Sequence, residues 1–205
     1  MEGVAGKPVK GKRNKCKHCR MASYCLPALL DKASIKKLKS LNFSARFLDP
    51  GEHLCYQGKK IDSVFFIRSG VLKSYINKED GHECIMDFYF PPELFGWVGS
   101  DKRQLSFSIM ALDYSNVCEI PLAEFGHLLS EEESLQTQFF NLIHHRIRSD
   151  NQKFLRTTAE QRVASFIVQL TRHYKRQGFP YSMCNFVMTH QDIANYLRIA
   201  PATIS

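Results

Sequence analysis

The sequence predicts an α+β protein, with a strand-rich N-terminal part followed by helices, and three observations carry that expectation. Short apolar stretches separated by turn residues run from Phe47 to Pro121. After Pro121 the apolar period changes from that of strands to that of helices. The C-terminal third then ends in two short helical patterns around a tight break, inside a basic segment. A chain of 205 residues that is 44% apolar can form one large domain or two small ones with a real core.

Taken in order, residues 1–15 (MEGVAGKPVKGKRNK) form a basic tail without the apolar run of a signal peptide. No other stretch approaches the roughly 18 uninterrupted apolar residues that a membrane span needs. The expectation is a soluble, cytoplasmic protein without a membrane partner. Behind the tail comes KCKHCRMASYC, with Cys16, Cys19 and Cys25 close together. The seven cysteines (16, 19, 25, 55, 84, 118 and 184) are an odd number, and in a reducing compartment they read as thiols or metal ligands rather than a disulfide framework.

In the strand region, VFFIRSGVLKSYI (64–76) places apolar and β-branched residues on both sides of Ser69-Gly70, and NKEDGHE (77–83) is a polar turn leading into CIMDFYF. Regularly spaced short strands favour a sandwich or barrel over a parallel sheet. Residues 123–156 lack proline and contain only Gly126, which predicts one long helix. On it Phe140, Ile143, Ile147, Asp150 and Phe154 follow a 3, 4, 3, 4 spacing, the a/d repeat of a coiled coil. Periodicity alone fits packing on the helix's own domain equally well. Asp150 points to a homodimer, because a carboxylate is costly in a monomer core, whereas two of them near a dimer axis make association adjustable.

TAEQRVASFIVQLTRHY (158–174) predicts a second amphipathic helix ended by Gly178 and Pro180. In MTHQDIANYLRIAPATIS (188–205), Thr189 is an N-cap with Asp192 three residues on, and Ile193, Ala194 and Leu197 make one apolar face. Arg198-Ile199-Ala200 makes a break, and Pro201 suits the first turn of the next helix. This is a helix-turn-helix pattern. The net charge of +8 is uneven, with +6 in residues 1–20, −4 in 21–143 and +6 in 144–205. A basic C-terminal third points to a polyanion, nucleic acid being the commonest. No phosphate loop or dinucleotide fingerprint is present, and His144 and His145 have no acid or nucleophile arranged beside them, so an enzyme is not expected.

The motifs FFIRSGVLKSY, SNVCEIPL, AEQRVASFI, RQGF and MTHQDIANYLRIAPATIS resemble the CRP/FNR family of bacterial transcription regulators, over a span from about Cys16 to Ser205. Within it the likeness is to the FNR branch of iron-sulfur oxygen sensors, which hold a cluster by a C-x2-C-x5-C set and a distant cysteine in a C-E-I-P context. The resemblance implies a double-stranded β-roll like that of cyclic-nucleotide-binding domains, a long dimerisation helix, and a winged helix-turn-helix that is incomplete here. The domains expected are a tail (1–15), a cysteine segment (16–30), a sensory β-roll (31–122), a dimerisation helix (123–156) and a DNA-binding domain (157–205).

The resemblance assigns a 4Fe-4S cluster to Cys16, Cys19, Cys25 and Cys118. Chemically, Cys16 and Cys19 can hold adjacent corners of a compact centre, and four thiolates suit either a cubane cluster or zinc. A regulator of the same fold with a zinc or thiol-disulfide switch is therefore the rival expectation. Cys55, Cys84 and Cys184 match no ligand position and read as buried thiols.

The family's other branch grips a cyclic phosphate with a Gly-Glu segment and an Arg-Ser pair. Here Trp97 follows Gly96, and Leu105 precedes Ser106 with only Arg103 nearby, which argues against cyclic nucleotide. The resemblance also implies a homodimer on a palindromic site in double-stranded DNA, with RNA polymerase as a further partner. The implied DNA-binding residues are Thr189, His190, Gln191, Ala202, Thr203 and Ser205. Where the FNR branch carries a glutamate, Ala202 offers only a methyl contact, so that branch's half-site is not carried over. Because residue 205 falls inside the recognition helix, the chain as given is expected to bind DNA weakly.

Overall fold

Strands form where the sequence alternates: β1 (Ser44–Leu48), β2 (His53–Cys55), β3 (Ser63–Ser69), β4 (Leu72–Asn77), β5 (Glu83–Tyr89), β6 (Leu94–Phe95), β7 (Ser108–Ala111) and β8 (Ser115–Pro121). They are seen in a computed structural model that describes residues 25, 36–37, 41, 43–79, 81–96, 104–154, 158–178 and 186–204, with side chains described at all of these except 145, 146, 148–154 and 176. One antiparallel sheet has the order β1-β8-β3-β6 and the other the order β2-β7-β4-β5. Strands near in sequence often lie in opposite sheets, which gives the rolled double sheet expected from the sequence.

The inner faces close on an apolar core. Leu48, Phe65, Ile67, Phe95 and Val117 from the first sheet meet Leu54, Leu72, Tyr89, Ile109 and Ala111 from the second. Phe95 is central: its ring stacks on Phe65 with centroids 5.3 Å apart and lies 5.1 Å from that of Tyr89. Helix α1 (Leu122–Glu131) follows β8 directly and turns Phe125, Leu128 and Leu129 inward. Phe125 meets Phe66 edge to face at 6.2 Å, so α1 covers part of the outer face of the first sheet.

The single helix expected over 123–156 is instead two. Helix α2 (Glu133–Phe154) is separated from α1 by Glu132, whose backbone is extended at φ −121° and ψ 94°. The physical reason lies in three consecutive glutamates, 131–133. Negative charge is unfavourable at the C-terminal end of a helix and favourable in the first turn of the next, where Glu133 sits. Glu132 also pairs with Lys37. Two further helices follow, α3 (Ala159–Arg176) and α4 (His190–Leu197), and then a 3-10 turn at Pro201–Thr203. The chain forms two compact units, Met1–Leu135 and Gln136–Ser205.

The Ser69-Gly70 step between β3 and β4 is a close approach of two chain segments. Gly70 has φ +85°, and a Cβ there would fall 2.6 Å from Ser115 Cα and 2.7 Å from Tyr114 O. Both the left-handed backbone and the contact require glycine. Gly70→Ala is expected to destabilise the roll by about 2 kcal/mol or more, read from the midpoint of urea denaturation. An unchanged midpoint would show that β4 does not leave β3 in this way.

Candidate functional site

Cys118 lies in β8, the strand bonded to a neighbour on each side: it pairs with Ala45 of β1 and with Phe66 of β3. Alternation along the strand sends Val117 into the apolar core and Cys118 to the opposite, outer face. Exposure changes along that face. Ile120 and Val64, nearer α1, are fully buried, whereas Phe47, beside Asn116 at the other end, is 58% exposed. Cys118 sits between these two limits, half-buried. Asn116, two residues earlier on this face, keeps a buried side-chain oxygen with no hydrogen-bond partner among the described residues. Such an acceptor marks a face that another group can complete.

Of the other expected ligands, Cys25 is described and half-buried, whereas Cys16 and Cys19 lie outside the described residues. No group of three or more His, Cys, Asp or Glu that could hold a metal occurs among the described residues. The remaining thiols differ in chemistry. Burial pushes the Cys55 thiol up to about 12, with Glu119 adding to the rise and Arg46 opposing it, so it stays protonated. A protonated thiol is a poor metal ligand. Cys84 is buried in β5, and Cys184 lies outside the described residues.

The Lys37–Glu132 ion pair was not legible in the sequence. It places Lys37 against Glu132 at the break between α1 and α2. Glu132 is only 14% exposed at its side chain, so the pair is less screened than a surface contact. Leu105, at the position where a cyclic phosphate would require arginine, is 3% exposed and belongs to the apolar core. Ser106 is exposed, and Trp97 and Arg103 lie outside the described residues.

On α2, Phe140 is 60% and Ile147 54% exposed, and Ile143 is half-buried. Three of the five seam positions thus form a partly uncovered apolar stripe. Asp150 and Phe154 are on the same helix, but their side chains fall outside the description.

The helix-turn-helix is built by local hydrogen bonds. Thr158 caps α3 by accepting from the Gln161 amide at 3.2 Å. At α4 the expected cap forms in both directions: the Asp192 amide donates to Thr189 Oγ1 at 3.0 Å, and the Thr189 amide donates to Asp192 Oδ2 at 3.1 Å. Ile193, Ala194 and Leu197 are buried, and Phe166 of α3 meets Tyr196 edge to face at 5.7 Å. Thr189, His190, Gln191, Ala202 and Thr203 are exposed, while Ser205 lies outside the described residues.

Helix α4 ends at Arg198, which is left-handed at φ 56° and ψ 47°. The Ile199 amide donates to Ala194 O at 3.1 Å and the Arg198 amide to Asn195 O at 3.2 Å, closing a Schellman turn whose left-handed position glycine usually fills. An arginine there costs roughly 1 kcal/mol relative to glycine. Arg162 of α3 braces the turn, its Nη1 donating to Leu197 O at 2.8 Å and Arg198 O at 3.1 Å. Sequence reasoning missed both arginines. The position of Arg198 in the break was the one signal that could have found it.

No helix among the described residues is long and apolar enough to cross a membrane. Residues 45–132 match the cyclic nucleotide-binding domain family. The chain is 35% identical to the transcriptional activator protein Anr of Pseudomonas protegens, over 93% of this chain and 79% of that protein. It is 31% identical to the fumarate and nitrate reduction regulatory protein of Yersinia pestis, over 93% of this chain and 77% of that one. Among solved structures, FixK2 from Bradyrhizobium japonicum superposes with a TM-score of 0.71 at 19% identity, covering 80% of this chain and 81% of that one, a likeness of fold. With this identity running from the roll through the helix-turn-helix, the chain belongs to the CRP/FNR family of transcription regulators and is not an enzyme.

Proposed function

We propose that the chain is an oxygen- or redox-responsive, cytoplasmic regulator that binds DNA as a homodimer, with Cys16, Cys19, Cys25 and Cys118 holding a 4Fe-4S cluster. The observation that carries this reading is the position of Cys118: half-buried, on the outer face of β8, three residues before the strand ends and α1 begins. The donor set also fits, since four thiolates match the cluster and the protonated Cys55 does not compete. When bound, the cluster supplies an oxygen-labile link among the four thiolates.

The chain's own residues would do the rest. Cys118 fastens the cysteine segment to a strand that runs directly into α1, where the Leu122 amide donates to Asp62 O at 2.8 Å. Lys37 fastens the following stretch to Glu132, at the point where α2 starts. Both attachments bear on the base of the helix that carries Phe140, Ile143, Ile147, Asp150 and Phe154 as the dimer seam. With two Asp150 carboxylates near the axis, a change of about 1 to 2 kcal/mol in how the seam is presented alters the dimer fraction several-fold. In the dimer, the two helix-turn-helix units meet a palindromic promoter site. Thr189, His190, Gln191, Ala202, Thr203 and Ser205 line the contact, and RNA polymerase is a further partner. Leu105 in the core supports a roll that does not grip cyclic nucleotide.

Anaerobic reconstitution is expected to yield about four iron and four sulfide per chain with visible absorption, lost in Cys118→Ser and kept in Cys55→Ser. A sample without iron or acid-labile sulfide overturns the reading, and one zinc per chain supports the zinc regulator instead. For the seam, Asp150→Ala is expected to raise the dimer fraction in air several-fold in analytical ultracentrifugation. An unchanged sedimentation profile overturns the assignment of the seam.

A further inference from the structure

We propose that Arg198 is a DNA-phosphate contact at the turn of the helix-turn-helix, an inference that rests on the DNA-binding reading above. Three observations converge on it. First, Arg198 is the only Lys or Arg in residues 177–205, so whatever fixed positive charge this segment offers to a polyanion must come from this position. A phosphate backbone is held chiefly by such charges.

Second, Arg198 occupies a left-handed turn position that glycine would fill without strain. A strained position points to function when the surrounding structure holds it in place. Here the holding group is Arg162, whose guanidinium binds the Leu197 and Arg198 carbonyls. That guanidinium is committed to the turn, and it opposes the partial negative charge at the C-terminal end of α4. Arg162 braces the backbone of the turn, and Arg198 is exposed at the surface.

Third, the turn stands between the two groups of exposed candidates. Thr189, His190 and Gln191 are at the start of α4, and Ala202 and Thr203 follow Pro201. In a helix-turn-helix the first helix crosses the phosphate backbone while the N-terminal residues of the second meet base edges. A cation at the end of the first helix, three residues before Pro201 opens the second element, is placed for phosphate rather than for bases. Such a contact positions the motif and carries no sequence information of its own.

The test uses full-length protein and a duplex that the wild type itself selects from a random pool, titrated by fluorescence anisotropy from about 50 to about 300 mM salt. Arg198→Gly and Arg198→Asn both suit the left-handed turn, so their melting temperatures are expected to be no lower than that of the wild type. Their affinity is expected to fall about tenfold. The plot of log affinity against log salt is expected to flatten by about one unit per protomer. Arg198→Lys is expected to retain most of the salt slope, since the charge remains. Equal affinity and slope for wild type and Arg198→Gly overturns the inference. So does a loss of affinity with the slope unchanged, which marks a purely structural role. A wild type that shows no measurable binding to duplex DNA even at about 50 mM salt, where weak phosphate contacts are strongest, overturns the DNA-binding reading and this inference together.

Discussion

The register of β8 is the constraint on which the sensory half depends. Held by ladders to β1 on one side and β3 on the other, this strand has no freedom to slide without breaking both. Because side chains alternate, a slip of one residue would place Cys118 in the core and Val117 outside. The apolar demand of the core at Val117 and the outward position of Cys118 are therefore one fact. The same register sets Ile120 and Val64 under α1, so the strand that presents the thiol also seats the helix that follows. From Cys118 the strand runs directly into α1 with no intervening loop.

Environment, rather than residue type, separates the cysteines. Cys55 faces burial that keeps its proton in place, with Arg46 too weak a counterweight to release it. Cys118 lies in β8 of the other sheet, paired with Ala45 and Phe66. A second separation of this kind operates in the helix-turn-helix, where Arg162 and Arg198 have the same guanidinium but different tasks. One spends its donors on backbone carbonyls and the other ends at the surface.

Features with a local cause were legible in the sequence. The strand pair around Ser69-Gly70, the Thr189–Asp192 cap and the apolar face of Ile193, Ala194 and Leu197 are all set by residues within a few positions of one another. The face presented by Cys118 was not legible, since it depends on pairing with Ala45 and Phe66, far away in sequence. The break at Glu132 was hidden for a similar reason. Glutamates are good helix formers, and only their position between two helix ends, with Lys37 as a distant partner, makes one of them a break. Arg162 reaches 35 residues along the chain to the turn, a distance no short pattern spans.

These long-range contacts are also the ones a switch requires. A bound group shifts an equilibrium only by the difference between its interactions in the two states, and tight binding to both shifts nothing. A set of thiolates confined to one loop would bind equally well whatever the rest of the chain did. In the proposed set the fourth thiolate comes from β8, about ninety residues from the other three, so that occupancy would depend on bringing distant parts of the chain together. The Lys37–Glu132 pair meets the chain just before α2 starts, so in the proposed switch it would be coupled to the thiolates. The exposed Phe140 and Ile147 would be the downstream element of the proposed switch, an apolar stripe whose burial against a second copy would be favourable.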